Sequence, residues 1–476
     1  MGRASAPDRP APCHPRRPCR PAGPRSRHRL AGRRAAAEAQ ARFTWKGEAV
    51  RLGLTDLHPA ALAAGDLSPF SARLVWGTSS PSGTLSADGQ ARFADGLRLA
   101  GEGRLETRAL PRLLAAFGHD AALLPLVQNF ALEGRFETEG PAVMLPRLRV
   151  SLGQNGLDGA GAANFAQARI AVQATLAAES LDLGPLVAPS PRRWRATGAG
   201  AAVALAPYTG GDLDLRLSAA AARLGPVALE DVAASVLVRD GAVELALNRA
   251  GLQGGTLKGR VALAPTEADP AETELKVQGA LDQADLGALL ADLGAARWVQ
   301  GSGQGHLALE SRGRDLAALV ARLSGRAAVS VDRGTLVGLD LADVIQRNGG
   351  VAAGALARRN GRTPFERASL SVRFADGAGE FAEGALQAPS LSASLRGGFS
   401  LADRTLRARA ELSPRAAVAR PGPLFDLAGP WDDVAVRALR GDEPDLPASA
   451  LAAEPKSTES LRSPALLPAR ARAYAP

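Results

Sequence analysis

What most constrains this chain is a period-2 alternation of apolar and polar residues, broken by turn signals and repeated from Arg42 to about Leu412. Leu213, Leu215 and Leu217 alternate with Asp214 and Arg216. After Asp240-Gly241, Val243, Leu245 and Leu247 alternate with Glu244 and Ala246. Successive side chains of a strand point to opposite faces, so each such segment has one apolar and one polar face. Asp88-Gly89, Asp95-Gly96, Asn155-Gly156, Asp158-Gly159, Asp240-Gly241 and Asp376-Gly377 are dipeptides that hairpin loops prefer, because Gly, Asn and Asp tolerate positive φ. They predict antiparallel neighbours. The expected fold is mainly β: a long, twisted antiparallel sheet of many short strands forming an open groove or half-barrel, with a few short amphipathic helices. Aromatics make up 4% of the chain, against 52 Gly and 33 Pro, which favours a turn-rich sheet over a helical bundle. A sheet with one apolar face must cover it, so the alternatives are a closed sandwich or a groove that takes an apolar ligand. Leu213, Leu215, Leu217, Val243, Leu245 and Leu247 are the candidate lining of such a groove.

Between Gly301 and Gly350 the period switches. A strand carrying Leu307 and Leu309 precedes a helix capped by Asp315, with Leu316, Leu319, Val320 and Leu323 as its stripe and Gly325 as its stop. Ala327, Val329 and Val331 form the return strand. Asp332-Arg333-Gly334 reads as a turn into Thr335 to Leu339, and Asp340 caps a second helix with Leu341, Val344 and Ile345. This strand-to-helix step recurs from Arg108 to Leu114, from Leu181 to Val187 and from Asp285 to Leu290. Thr363-Pro364-Phe365 reads as opening a further strand pair, and Gly429-Pro430-Trp431-Asp432-Asp433 lies near the end.

The order of these elements, from about Arg297 to Arg440, resembles the C-terminal region of the AsmA family of bacterial envelope proteins; residues 41–296 are similar only in their diffuse β character. AsmA-like proteins are associated with outer-membrane assembly, and their long grooved β structures look like those of bridge-type lipid-transfer proteins. The resemblance therefore implies a non-enzymatic, periplasm-facing and inner-membrane-associated protein. Phospholipid acyl chains, moved between inner and outer membranes, and outer-membrane assembly proteins are the implied partners. The alternative is a scaffold that regulates outer-membrane protein insertion or targets protein to the membrane, binding polypeptide at sheet edges by strand addition.

Four regions follow: a leader over 1–40, a repetitive β region over 41–296, the AsmA-like domain over 297–440 and a tail over 441–476. Leader and tail are rich in Pro with Arg or with acidic residues and lack periodicity, so both are expected to be disordered. The net charge of +9 invites a nucleic-acid reading, but residues 1–40 hold ten arginines against Asp8 and Glu38 and account for +8 of it. The rest lacks the basic footprint that phosphate contacts need, so nucleic acid is not an expected partner. No run approaches the ~20 apolar residues that span a bilayer, and residues 1–40 lack a signal-peptide core. AsmA-like proteins typically carry an N-terminal transmembrane anchor, so a truncated or misread start is expected.

Catalytic chemistry is not legible. Cys13, His14 and Cys19 are three ligand types without a fourth. His119-Asp120 lacks a nucleophile motif. Gly301-Ser302-Gly303-Gln304-Gly305 precedes a strand rather than a phosphate-binding helix. No cofactor, metal or enzymatic activity is expected.

Overall fold

A computed structural model of the chain describes residues 36–45, 48–77, 82–108, 110, 129–166, 169–184, 203, 205, 209–295, 297–346, 357–415, 422–431 and 434–439. The expected leader and tail fall almost wholly outside these residues, as do Cys13, His14, Cys19, His119, Asp120 and Asp432-Asp433. Two compact units are present, Met1–Leu181 with Gly210–Leu217, and Asp182–Thr209 with Ser218–Pro476. The chain is mainly β, with 22 strands and four short helices among the described residues.

In the first unit, β1 (Ala37–Trp45), β2 (Glu48–Leu57), β3 (Ser68–Trp76), β4 (Gly83–Phe93), β5 (Leu97–Thr107), β6 (Phe130–Glu139), β7 (Ala142–Leu152), β8 (Asn155–Asn164) and β9 (Ala171–Asp182) form a meander. Each strand is antiparallel to the next. One helix, α1 (Pro59–Ala63), lies between β2 and β3. The strand β10 (Asp212–Leu224) crosses the division, since residues 212–217 belong to this unit and the remainder to the second.

The second unit continues as β11 (Val227–Arg239), β12 (Ala242–Leu252), β13 (Gly255–Pro265), β14 (Thr273–Asp285), α2 (Leu286–Asp292), β15 (Val299–Gly313), α3 (Leu316–Ala321), β16 (Ser324–Leu339), α4 (Leu341–Gln346), β17 (Ala357–Ala375), β18 (Ala378–Gln387), β19 (Leu391–Ser400), β20 (Thr405–Pro414), β21 (Leu424–Pro430) and β22 (Ala435–Leu439). Again every strand pairs antiparallel with its sequence neighbours, and β11 does not pair with β22. The sheet is open. Extra residues bend it: Asp231 (φ 47°) and Gln283 (φ 54°) sit in the register shifts of β11 and β14, and such bulges increase the local twist.

The turn signals divide into two kinds. Asp95-Gly96, Asp240-Gly241 and Asp376-Gly377 are loops between paired strands, and the last two have positive φ at both positions, as a two-residue hairpin turn requires. Asp88-Gly89 and Asp158-Gly159 instead lie inside β4 and β8, and Asn155-Gly156 opens β8 just after the turn. In the first two, glycine serves close approach, because a Cβ on Gly89 would collide with the Ala100 carbonyl of the neighbouring strand and one on Gly159 with the Thr175 carbonyl.

Three local readings of the C-terminal region are corrected in the same way. Asp332-Arg333-Gly334 does not turn the chain; β16 runs through it as one 16-residue strand, flanked by β15 and β17, with Arg333 (φ 55°) as a bend. Gly325 lies within β16 rather than at the end of α3, which stops at Ala321. Thr363-Pro364-Phe365 is internal to β17. That stretch pairs with β16 only, since pairing to β18 starts at Arg367, so the missing N–H of Pro364 falls on a local edge.

Candidate functional site: the apolar sheet face

Register lines the apolar side chains up across strands. In the first unit Leu52 faces Leu74, Leu74 faces Leu85, Leu85 faces Leu105, Leu105 faces Leu132, Leu132 faces Val150 and Val150 faces Leu157, an unbroken apolar row over seven strands. The next register row carries charge. It runs Arg104, Glu133, Arg149 and Asp158 on the opposite face, joined by ion pairs of 3.6, 3.9 and 2.7 Å. Exposed pairs of this kind each contribute little, but a one-residue slip would put every charge on the apolar side, so the two rows hold the register together.

The second unit repeats the arrangement. Val236, Leu245, Val261, Val277 and Leu309 face one another from β11 to β15, and the following row alternates Ala234, Leu247, Gly259, Gly279, Leu307, Ala327, Val372 and Phe381 through β18. On the polar face Glu244 meets Arg260 at 3.0 Å, and Glu274 lies between Arg312 (2.9 Å) and Lys276 (3.1 Å). Those two cations, the Arg312 hydrogen bond first, hold the Glu274 carboxyl below the usual glutamate range. The Asp269 carboxyl is likewise lowered, first by the Ala271 backbone N–H and then by Arg314.

Part of this apolar face is covered from within. The α2 helix is capped by Asp285, whose carboxylate accepts from the Ala288 N–H at 3.0 Å, and it lays Leu286 and Leu290 against a core of Val299, Val331, Phe365, Leu391, Leu412 and Phe425. From α4 come Leu341, Val344 and Ile345. Its first turn is tied down by Thr363, whose Oγ1 accepts from the Leu341 N–H and donates to the Leu339 carbonyl. Gly303, in the strand rather than in a loop, makes room for Leu286, since a Cβ there would strike that side chain.

Away from this core the same face is half-buried or open. Leu245 is 44% exposed. At the far end of the Leu309 row, Phe399 meets Phe374 at 5.8 Å, Phe381 at 5.7 Å and Trp431 at 6.1 Å between ring centroids, and the Arg404 guanidinium lies 5.8 Å from the Trp431 ring. Four aromatics thus gather on a chain poor in them. Phe374 and Phe399 stand on the apolar parity of their strands in the sequence itself, but that they meet follows only from the register through Gly379.

Of the six residues singled out from sequence, Val243, Leu245 and Leu247 share one face of β12 and are flanked by Val238, Val236 and Ala234 on one side and by Leu263, Val261 and Gly259 on the other. Leu213, Leu215 and Leu217 are half-buried in the part of β10 that belongs to the first unit, whereas the β12 trio belongs to the second. Asp214 and Arg216 pair with each other at 3.7 Å. Sequence reading missed the longer row from Leu52 to Leu157, whose signal is one aliphatic residue per strand, six leucines and Val150, visible only once the register is known.

These features define a class: open antiparallel sheets with one continuous apolar face and, among the described residues, only short helices to cover it. Residues 190–381 match the AsmA family model, and that likeness suggests a bacterial envelope protein. The match begins at 190 rather than 297. The matched residues therefore take in the β11–β14 hairpins as well as the elements after Gly301. Gly429-Pro430-Trp431 lies beyond the matched residues. No curated protein matches the chain. No described helix is long and apolar enough to cross a membrane.

Proposed function

We propose that this protein is a non-enzymatic, periplasm-facing component of the envelope that shelters phospholipid acyl chains along its apolar sheet face during transfer between inner and outer membranes. The observation that carries the reading is the unbroken row from Leu52 to Leu157, in which Leu52 and Leu85 remain 36% and 41% exposed. Contiguous apolar surface of this extent is uncommon on soluble monomers and marks a binding face. Burying a methylene stabilises by about 0.8 kcal/mol, so one acyl chain laid along such a row gains on the order of 10 kcal/mol before ordering costs. Assistance to outer-membrane assembly follows from the same transfer, because that membrane must receive lipid.

Mass spectrometry of the purified protein is expected to find phospholipid. Leu85→Glu combined with Leu245→Glu should lower its amount while leaving the circular dichroism unchanged, since both side chains are open to solvent. A protein that purifies lipid-free from a lipid-rich host, and takes up no fluorescent phospholipid, would sink the proposal; a co-purifying polypeptide in place of lipid would point to the scaffold role.

A further inference from the structure

The polar face of the second unit has a depression of about 670 Å³ over β14–β18. Its floor is made of small residues, Ala308, Ala328 and Ser371, and His306 stands at its edge, shared with an adjoining depression of about 330 Å³. Two arginines line it. Arg326 and Arg373 are direct partners in the β16–β17 register, so two guanidinium groups project from opposed positions of neighbouring strands. Like charges placed so are destabilising unless something between them carries the opposite sign.

Among the described residues, neither arginine has an ion pair or side-chain hydrogen bond, although Glu380 is the β18 partner of Arg373. Other arginines on this unit are engaged, as Arg260 is with Glu244, Arg312 with Glu274 and Arg367 with Asp332. Of the remaining charges of the depression, Lys276 pairs with Glu274 at 3.1 Å, and Glu310 is the β15 register partner of Lys276. Two unanswered guanidinium groups over a floor of small side chains are therefore left.

We infer that this depression binds a phosphate-class anion, held between the Arg326 and Arg373 guanidinium groups. Each offers a planar fork of N–H donors that suits tetrahedral oxyanions, and an anion placed between them converts a repulsive pair into a bridged one. The site lies on the face opposite the apolar rows, so it does not depend on the acyl-chain reading. The phosphate has two sources, the headgroup of an anionic phospholipid or free phosphate in solution.

The test uses the full chain at low ionic strength. Inorganic phosphate is titrated calorimetrically, and flotation is measured with vesicles of phosphatidylglycerol in phosphatidylcholine and of phosphatidylcholine alone. Arg326→Gln with Arg373→Gln should weaken binding about tenfold or more, the loss expected for two charge-assisted contacts. Arg396→Gln with Arg409→Gln, an opposed pair outside the depression, should change it little. Loss of the phosphate response in the first variant identifies free phosphate as sufficient; loss confined to phosphatidylglycerol vesicles identifies the headgroup. Absence of both responses in the unmodified protein, or equal loss in both variants, overturns the inference.

Discussion

Glu274 sits between Arg312 and Lys276, and its lowered pKa makes a statement about acid stability. A carboxyl whose folded pKa lies below its unfolded one contributes stability that is fully present above the ordinary glutamate value and is lost as pH falls through the folded value. Asp269 acts in the same direction. The urea midpoint of the second unit is therefore expected to be flat from neutral pH to about 5 and to fall below about 4. In Glu274→Gln the neutral-pH stability should drop by no more than about 1 kcal/mol, because the group is solvent-screened, and the acid limb should become shallower. An unchanged acid limb in that variant would show that the pairing is not maintained in solution. At this scale the sequence was legible in parity: Glu244 and Leu245 could be assigned to opposite faces at sight. Their partners could not, since Arg260 and Val261 reach them only through the β12–β13 register.

Helix α3 shows what the period can and cannot carry at the level of elements. Its cap at Asp315 and its stripe were readable, and Leu319 is buried while Leu316, Val320 and Leu323 are half-buried. Ser311 adds a hydroxyl bond to the Leu319 carbonyl at 2.6 Å, fixing the short helix to β15. Leu319→Asp should destabilise the second unit by about 3–5 kcal/mol through an unpaired charge in an apolar contact, whereas Leu319→Met should cost less than about 1.5 kcal/mol. Denaturant unfolding of the full chain checks this, and an Asp variant as stable as the Met variant would show that the stripe is not packed. The misreadings were all local signals overruled by neighbours. Arg333-Gly334 has turn chemistry, yet β15 and β17 hold both sides of β16 in line. Gly89 and Gly159 look like turn residues because only their backbones, not the strands pressed against them, are visible in the sequence. Two of the four strand-to-helix steps are α2 and α4, while that from Arg108 to Leu114 lies mostly outside the described residues and that from Leu181 to Val187 is described only as far as Gly184.

At the scale of the molecule, each described sheet is a succession of hairpins in which a strand's partners are the ones just before and just after it. Pairing of this kind carries little loop-closure cost, so it favours rapid formation despite the all-β architecture. It also makes the parts separable. Removal of the β6–β7 hairpin, Phe130–Leu152, leaves β5 beside β8 with the antiparallel sense preserved and with Leu105 able to face Leu157 in the apolar row. The shortened protein is expected to keep its strand content per residue and a single cooperative unfolding transition, measured by circular dichroism; collapse of both would show that the unit folds as an indivisible whole. If hairpins can be dropped or copied in this way, length becomes a quantity that gene duplication can adjust without redesigning a core, one pair of strands at a time, and such a protein could be fitted to whatever gap it has to reach across.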